Sequence, residues 1–409
     1  MDDLLFLVHR IPYPPNKGDK IRSYHLLRHL AANYRVHLAT FIDDPDDRRH
    51  VDALRGLCAD LYCADLQPIR ARLRSLGGLA RGEALSLPYY RDAGLRRWVT
   101  GKLAGVRRVL AFSSPMAQYV LDAGPGVRRV MDFVDVDSDK WRQYSASRGW
   151  PMGWLYRREA RRLLDFERRV AHEFDACVLV SAAEAELFRR LAPEAAGRIV
   201  AVENGVDSDY FSPDRDYENP YDADERVLVF TGAMDYWANV DAVNWFAREI
   251  FPGVQARHPM ARFYVVGSRP TDAVHALGAL PGVRVTGRVA DTRPYIAHAR
   301  AAVAPLRIAR GVQNKVLEAM AMARPVLASP QAMDGIAPCA GLERLVGDSA
   351  ESLARLAEAL ITGDDHDALG PVGRACVLSH YDWERNLAHI DALLEGAGAA
   401  PRRRAGGAR

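Results

Sequence analysis

Short apolar runs alternate with helical stretches along most of this sequence, and this alternation restricts the fold more than any other feature. Runs such as Leu4 to Val8 and Val227 to Phe230 are apolar on consecutive positions, as in strands buried on both faces. The intervening stretches repeat apolar residues every three to four positions, as helices do. Strands and helices in alternation form parallel sheets covered by helices. The sequence therefore predicts an α/β fold with doubly wound parallel sheets.

The chain is long enough for two such domains, because it has 409 residues and a domain usually has about 100–200. The acidic stretch ENGVDSDYFSPDRDYENPYDADE has little apolar periodicity and is typical of a linker. We expect an N-terminal domain over residues 1–204, a linker over 205–225 and a C-terminal domain over 226–380. A closing helix over 381–395 and a disordered basic tail over 396–409 follow.

Composition excludes several classes of protein. The net charge of +3 is too small to indicate a nucleic-acid partner. The five cysteines show no CxxC or histidine-paired spacing, so we expect neither a disulfide framework nor a zinc site, and a reducing compartment. The first residues do not resemble a signal peptide, and no apolar run is long enough to span a membrane. We therefore expect a cytoplasmic protein.

The stretch from Val303 to Ser329 carries the clearest candidate site, because it reads as strand, loop, helix and strand. Such a unit places a helix N-terminus at the carboxyl edge of a sheet, where its free N–H groups favour a diphosphate. Glu318 lies one helical turn after Asn314 on the same face, so its carboxylate points back toward that edge. Ribose hydroxyls would supply hydrogen bonds to it. The alternative is an ordinary βαβ unit with a solvated Glu318.

The first predicted domain offers weaker signals. Gly18 and the helix-capping Asp19 follow the first strand, but the loop has neither GxGxxG nor GxxxxGK[ST], and Gly18 alone more often makes a turn. Asp132 follows a strand in DFVDVDSDKW and is expected to face a ligand. The acids of this segment do not fit the EF-hand spacing, so we expect no metal there.

Two arginine-rich regions, 69–108 and 154–172, are predicted to be amphipathic helices. The first is predicted to form two or three helices, broken near Gly77-Gly78 and Pro88. Such helices more often carry a solvated charged face than lie on an anionic membrane. Both interpretations stay open at this point.

Several segments resemble family 4 retaining glycosyltransferases. ENGVDSDYF is similar to the NGVD-x-x-x-F signature of that family, and VLEAMAMARPVLAS is similar to its EAMA-x-G-x-PV-x-AS donor-binding signature. HRIPYPPNKGDKIRSYHLLRHL, DFVDVDSDKW, FTGAMDYWANVDAVNWF and GVQNKVLEAMA resemble one branch, the bacterial exopolysaccharide-type sugar transferases associated with exosortase/PEP-CTERM systems. The resemblance extends over the chain to about Leu394.

This resemblance implies a GT-B architecture, in which two Rossmann-like doubly wound parallel-sheet domains face a central cleft. It implies transfer of a sugar from a nucleotide-diphosphate donor to a hydroxyl, with retention, without a cofactor or a metal. The acceptor would be a glycan, expected to be lipid-linked and used in exopolysaccharide biosynthesis. The enzyme would then work at the inner face of the membrane as a peripheral protein.

The resemblance also assigns residues. Glu318 would bind the nucleotide ribose, and Lys315 or an arginine near it, Arg307 or Arg310, would neutralise the departing diphosphate. We predict Arg310 and Lys315 for this role, so that Arg310, Lys315 and Glu318 form the catalytic group. The other donor-binding residues would be Gly232, Gly311, Gln313 and Asn314. Residues against the acceptor or the diphosphate would be Gly18, Asp19, Ser114 and Asp132.

Three positions depart from the family pattern. Arg310 stands where the family has a first glutamate, and an arginine cannot accept hydrogen bonds from sugar hydroxyls. The Arg/Lys pair that usually follows the first strand of the second domain is missing from GAMDYWANVD, and Ser113-Ser114 replace a common histidine. Two alternative functions therefore stay open. One is a sugar-nucleotide epimerase or phosphorylase-like enzyme, and the other is a catalytically silent nucleotide-sugar-binding partner of a polysaccharide assembly complex.

Overall fold

The computed structural model describes residues 1–15, 18–146, 148–309, 311–363 and 368–396. The chain divides into two compact units, Met1–Glu203 together with the segment from Glu384 onward, and Asn204–Trp383. Each unit is built around one parallel sheet, which confirms the predicted two-domain Rossmann-like α/β fold.

In the first unit, the described residues form a seven-stranded sheet in the order β3-β2-β1-β4-β5-β6-β7, and all its neighbouring strands are parallel. The strands are β1 (Asp3–Val8), β2 (Arg35–Ile42), β3 (Asp60–Asp65), β4 (Arg108–Phe112), β5 (Arg128–Val134), β6 (Ala176–Leu179) and β7 (Ile199–Ala201). The α-helices are α1 (Gly18–Asn33), α2 (Val51–Arg55), α3 (Pro68–Arg81), α4 (Ser86–Tyr89), α5 (Ala93–Leu103), α6 (Asp137–Ala146), α7 (Met152–Glu173) and α8 (Ala182–Leu191). Three 3-10 helices among the described residues span Pro45–His50, Ser114–Tyr119 and Pro193–Arg198.

The central strand β1 shows why short apolar runs in the sequence predicted buried strands. Its residues from Leu4 to Val8 are completely buried, because helices cover both faces of the sheet. Phe6 pairs with Leu38 on one side and with Leu110 on the other. Strand β3, DLYCAD, was not predicted. It is an edge strand and is mostly half-buried, so its sequence lacks the continuous apolar run of the central strands.

In the second unit, the described residues form a five-stranded parallel sheet in the order β10-β9-β8-β11-β12. The strands are β8 (Arg226–Thr231), β9 (Ala261–Val266), β10 (Val283–Gly287), β11 (Ala301–Ala304) and β12 (Val326–Ala328). The α-helices that follow α8 are α9 (Trp237–Trp245), α10 (Phe251–Arg257), α11 (Asp272–His275), α12 (Arg293–His298), α13 (Asn314–Ala321), α14 (Pro330–Met333), α15 (Ala350–Thr362), α16 (Leu369–His380) and α17 (Trp383–Glu395), the last belonging to the first unit from Glu384. A π-helical turn, Phe246–Ile250, joins α9 to α10, and 3-10 helices span Ala276–Ala279 and Leu342–Leu345.

The segment predicted as a linker packs with the second unit. Val206 and Tyr221 are buried in the core of that unit, and the hydroxyl of Tyr221 donates a hydrogen bond to the carbonyl of Tyr295 (2.6 Å). At the other end of the chain, residues 397–409, which hold nearly all of the predicted basic tail, lie outside the described residues.

Two expectations from the sequence are wrong. Cys339 and Cys376 form a disulfide, a pairing across 37 positions that depends on how α16 packs and leaves no local sequence signal. Because two of the cysteines are paired, the cysteines no longer support the expectation of a reducing compartment. The helix expected to break near Gly77-Gly78 continues to Arg81, because Gly78 faces inward, where a Cβ would come within 3.2 Å of Cγ of Pro88.

No helix in the described part of the chain is both long enough and apolar enough to cross a bilayer.

Candidate functional site

The predicted strand-loop-helix-strand unit is present at the carboxyl edge of the second sheet. Strand β11 ends at Ala304, helix α13 begins at Asn314, and β12 follows it. Val316, Leu317 and Met320 are buried and hold α13 against the core of the unit. The N-terminal end of α13 is thereby fixed near the strand ends. Arg310, predicted to be catalytic, lies outside the described residues.

The loop before α13 ends in a sharp turn. Gly311 has a φ of 61°, a left-handed conformation that glycine adopts without strain. The side-chain amide of Gln313 donates to the carbonyl of Gly311 (3.2 Å), and the backbone amides of Val316 and Leu317 both donate to the carbonyl of Gln313. The amides of the first helical turn, including that of Lys315, therefore point toward the loop, where an anion would meet them.

Lys315 is held in one position by a neighbouring helix. Its Nζ donates to Oδ1 of Asn239 in α9 (2.8 Å) and lies 5.0 Å from the centre of the Phe230 ring. Burial lowers the pKa of Lys315 to about 8, although the carboxylate of Glu318 acts in the opposite direction. A partly desolvated cation is thus fixed at the N-terminus of α13, without a carboxylate hydrogen-bonded to it among the described residues.

Gly232 leaves room for this contact. It follows β8 with a φ of 153°, and a Cβ there would lie 2.8 Å from Nδ2 of Asn239 and 3.5 Å from Cε of Lys315. Asn239 is buried, and its Nδ2 donates to the carbonyl of Ala233 (2.8 Å). A Cβ at Gly267, after β9, would fall only 1.7 Å from the carbonyl oxygen of Gly232. The ends of β8 and β9 therefore approach each other through two glycines.

Glu318 lies one turn beyond Asn314 on α13 and is half-buried. Burial raises the pKa of Glu318 to about 7, and the cation of Lys315 limits the rise. Oδ1 of Asn314 is buried and has no hydrogen-bond partner among the described residues. Lys315, Glu318 and Asn314 together offer one cation, one carboxylate and one unpaired acceptor at the same helix end.

An arginine and a tyrosine stand near this helix end, and the sequence analysis did not single them out. The guanidinium carbon of Arg293 lies 3.7 Å from the centre of the Tyr210 ring, and Asp291 pairs with the same guanidinium. Burial and the Asp291 carboxylate raise the pKa of Tyr210, and Glu318 contributes in the same direction. Arg307, by contrast, pairs with Asp241. Asn239 lies in the segment FTGAMDYWANVDAVNWF but had no assigned role, and Arg293 lies in none of the quoted segments, so only packing identifies them.

In the first unit, Asp132 is enclosed in the interior. Asp132 and Arg22 have completely buried side chains, and Nε of Arg22 donates to Oδ2 of Asp132 (2.8 Å). The other carboxylate oxygen accepts from the amide of Val134 (3.0 Å). Burial raises the pKa of Asp132, and Arg22 acts against that rise. The ligand-facing role remains a prediction, while the structure gives this carboxylate an internal partner.

Gly18 and Asp19 form the first turn of α1. Asp19 pairs with Arg10 (2.7 Å) and with His9 (3.3 Å). Burial by itself would raise the pKa of Asp19, but His9 and Arg10 bring it well below its usual value. This ionised carboxylate is therefore engaged by side chains from the end of β1.

Ser114 contacts a buried carboxyl group. Its Oγ donates to Oε1 of Glu167 (3.1 Å), and Ser138 donates to the other oxygen of the same carboxyl. Burial and the nearby Asp137 raise the pKa of Glu167 to about 8. Ser114 begins the 3-10 helix that follows β4, and Asp132 lies within the neighbouring strand β5, whereas Gly18 and Asp19 begin α1.

Two acids of DFVDVDSDKW share a cationic partner. Nζ of Lys140 pairs with Asp135 (2.8 Å) and with Asp137 (3.1 Å). Among the described residues, one group of potential metal ligands lies close together, namely Cys339, Cys376 and His380, and its two sulfurs are joined in the disulfide. The absence of a metal requirement stays a prediction.

A fixed lysine, a carboxylate and a helix N-terminus at one edge of a parallel sheet form an arrangement that can bind a phosphorylated ligand. Residues 225–363 match the family described as glycosyl transferases group 1. This match covers most of the second unit and includes Lys315 and Glu318. No curated protein sequence matches the chain.

Solved structures share the complete fold. Anabaena Alr3699/HepE, solved in complex with UDP, has 16% identity and a TM-score of 0.66, covering 97% of this chain and 100% of that one. WaaG, a glycosyltransferase involved in lipopolysaccharide biosynthesis, has 16% identity and a TM-score of 0.62, covering 96% and 100%. A trehalose-6-phosphate protein from E. coli, bound with UDP-2-fluoro glucose, has 10% identity and a TM-score of 0.66, covering 98% and 100%. The family match and the shared fold support a glycosyltransferase of GT-B fold.

Proposed function

We propose that this protein is a retaining glycosyltransferase that moves a sugar from a nucleotide-diphosphate donor to a hydroxyl acceptor. The observation that carries the proposal is the arrangement of Lys315 and Glu318 on the first turns of α13, with the lysine held by Asn239. The family match over residues 225–363 and the UDP complex of the Anabaena protein support a nucleotide-sugar donor.

In this proposal Glu318 accepts hydrogen bonds from the ribose hydroxyls of the donor. Burial raises the pKa of Glu318 to about 7, and a buried ionised carboxylate is stabilised by hydrogen bonds that it accepts. Two vicinal hydroxyls would supply them and favour the ionised form. Asn314, whose buried Oδ1 is without a partner among the described residues, offers a further acceptor for a hydroxyl of the donor.

Lys315 and the amides at the start of α13 receive the diphosphate. As the bond to the sugar breaks, negative charge accumulates on the departing nucleoside diphosphate, and a fixed cation and helix amides stabilise that charge. A lysine already held by Asn239 requires little rearrangement when the charge develops. Lys315 therefore takes the role that the resemblance assigns to an Arg/Lys pair missing from GAMDYWANVD, and Arg310 remains the second proposed cation.

The finer assignment comes from the sequence resemblance. We propose a family 4 enzyme with a lipid-linked glycan acceptor in exopolysaccharide biosynthesis, related to the exosortase/PEP-CTERM branch and acting from the cytoplasmic side of the membrane. Gly18, Asp19, Ser114 and Asp132 remain the proposed acceptor or diphosphate residues of the first unit, although the side chains of Asp132 and its partner Arg22 are completely buried.

Calorimetric titration with UDP, GDP and ADP sugars tests the donor site. One of these donors should bind, and Glu318→Gln should weaken that donor by roughly tenfold to a hundredfold, since hydrogen bonds to a charged group contribute about 1.5–3 kcal/mol. Glu343→Gln, an exposed glutamate of the same unit, is the matched control. Equal affinity in wild type and Glu318→Gln would contradict the assigned site.

The reaction is tested by incubating the protein with the donor that binds and a lipid extract, and by measuring sugar transfer to the lipid. NMR of the product tests whether the configuration at the anomeric carbon is retained. Turnover of the donor only with inorganic phosphate, or without any acceptor, would favour the phosphorylase-like or epimerase alternative. Donor binding without turnover under any of these conditions would favour a silent binding partner.

A further inference from the structure

Helix α3 of the first unit is oriented with its small residues inward. Ala71, Ser75 and Gly78, spaced by four and three positions, are the buried residues of this helix. Gly78 packs closely on α4, where a Cβ would come within 3.2 Å of Cγ of Pro88. The guanidinium of Arg74 also donates to the carbonyl of Pro88 (2.7 Å). The inner face of α3 therefore packs against the first unit without using any of the large apolar side chains of the helix.

Those large side chains lie on the opposite face. Ile69, Leu73, Leu76 and Leu79 have exposed fractions of 76%, 64%, 55% and 38%. The first three are spaced by four and three positions and thus form one stripe along the helix. An amphipathic helix of a globular protein normally turns such a stripe toward the core. In α3 the stripe points to solvent.

Arginines border the stripe. Arg70, Arg72 and Arg81 are exposed, and none of them pairs with a carboxylate of the described residues. The sequence of α3, PIRARLRSLGGLAR, contains no acidic residue. Long basic side chains beside an apolar stripe place their methylenes along apolar material and their charges at its polar boundary.

The chain just before and at the start of α7 adds exposed aromatic residues near α3. Trp150 and Trp154 have exposed fractions of 86% and 52%. Arg158, one turn after Trp154, donates to the carbonyl of Gly78 at the end of α3 (3.0 Å) and to that of Glu83 (3.0 Å). Tryptophan is enriched where proteins meet the headgroup region of a bilayer.

We propose that the surface formed by α3 and the start of α7 docks on an anionic lipid bilayer, with α3 lying in the plane of the interface. The apolar stripe would enter the acyl boundary, while the flanking arginines contact phosphate headgroups. A second copy of the chain is a poorer occupant, because it would bring the same unpaired arginines against one another. The inference rests on the proposed function in one respect, since a lipid-linked acceptor requires the enzyme to reach a membrane.

Flotation of the full chain with vesicles tests the surface. Wild type should float with phosphatidylcholine vesicles containing roughly one third phosphatidylglycerol, and much less with pure phosphatidylcholine. The double variant Leu73→Ser/Leu76→Ser should lower the partition coefficient about tenfold or more. Leu378→Ser/Met260→Ser, at exposed apolar positions of the second unit, is the matched control and should float as wild type does.

A second variant, Arg70→Gln/Arg72→Gln/Arg81→Gln, should lose most of the dependence on anionic lipid and on salt. The whole series is repeated in a chain whose tail arginines at 402–404 are replaced by serine, so that the basic tail does not supply the binding. Circular dichroism and thermal unfolding of each variant establish that the fold is retained.

Two results would overturn the inference. One is wild type that does not float with anionic vesicles, and the other is a folded Leu73→Ser/Leu76→Ser variant that floats as well as wild type. Loss of a dimer in that variant, with no vesicle binding by wild type, would assign the surface to a second copy instead. Titration with the donor in the absence of lipid separates this result from the proposed function, because a failed donor site would leave flotation unchanged.

Discussion

Nζ of Lys315 donates a hydrogen bond to Oδ1 of Asn239 at 2.8 Å, joining the first turn of α13 to the first turn of α9. The two residues are 76 positions apart in the chain, and each follows a different strand of the second sheet. The contact fixes a cation where the proposed donor diphosphate would lie, and Gly232 leaves the space for it.

Removal of this contact should weaken binding of the donor without unfolding the protein. Asn239→Ala releases Lys315, and we expect the donor affinity to fall by about tenfold, because the lysine must then be ordered on binding. Stability should fall by about 1–3 kcal/mol, since the carbonyl of Ala233 also loses its partner. Calorimetric titration and urea unfolding give the two quantities.

Asn244→Ala is the matched control, because Asn244 stands on the same helix but its hydrogen bonds are with the carbonyl of Val240 (2.8 Å) and with Nε of Arg248 (3.4 Å), not with Lys315. The control should keep the donor affinity of wild type. A similar loss in both variants would mean that α9, rather than the contact with Lys315, controls binding.

The free energy of unfolding should depend on pH through the shifted pKa values of Glu318 and Lys315. The pKa of Glu318 rises from 4.5 to about 7 on folding, so between these values the native state binds more protons and stability falls as pH rises. The pKa of Lys315 falls from 10.5 to about 8, so between about 8 and 10.5 the unfolded state binds more protons and stability rises with pH. The contribution of the pair is therefore lowest between about pH 7 and 8.

Urea unfolding across pH 5 to 10 measures this profile, as a difference between wild type and each variant. Glu318→Gln should remove the fall on the acidic side, which amounts to at most about 3 kcal/mol, and Lys315→Met should remove the rise on the alkaline side. Parallel profiles for wild type and Glu318→Gln would show that this carboxyl keeps its ordinary pKa.

The disulfide should stabilise the second unit. Its cysteines are separated by 37 positions, and closing a loop of that length in the unfolded chain contributes about 3–4 kcal/mol. Cys339→Ser/Cys376→Ser should lower the melting temperature, and a reductant should have the same effect on wild type but none on the variant. Alkylation of denatured wild type should modify the three free cysteines, Cys58, Cys63 and Cys177. Modification of five would contradict the pairing.

The buried ion pair of Arg22 and Asp132 should be needed for the stability of the fold. Asp132→Ala leaves a completely buried guanidinium without its carboxylate and should cost about 3–5 kcal/mol. Asp52→Ala breaks an exposed pair with Arg55 and should cost less than about 1 kcal/mol. Urea unfolding compares the two variants. If Asp132→Ala were as mild as Asp52→Ala, water would have to reach Arg22, and the predicted ligand-facing role of Asp132 would gain support.

Much of the fold could be predicted because its information is local. Strands such as Leu4 to Val8 are buried on both faces, so each of their residues is apolar and the run is visible in the sequence. The edge strand Asp60–Asp65 was missed because half of its surface faces solvent. The helix break near Gly77-Gly78 was wrong for a related reason. A glycine chosen for close packing on Pro88 looks the same in sequence as a glycine that ends a helix.

By itself, then, the sequence determined the alternation of strands and helices, the two domains and the strand-loop-helix-strand unit that carries Lys315 and Glu318. Only the tertiary structure decided what those side chains meet. Asn239 reaches Lys315, Arg22 encloses Asp132 and Cys376 pairs with Cys339, and each partner is distant along the chain. The spacing of apolar residues along a helix or strand indicates which of its faces is buried. Contacts between distant residues depend on how elements pack, and one sequence holds no local record of that.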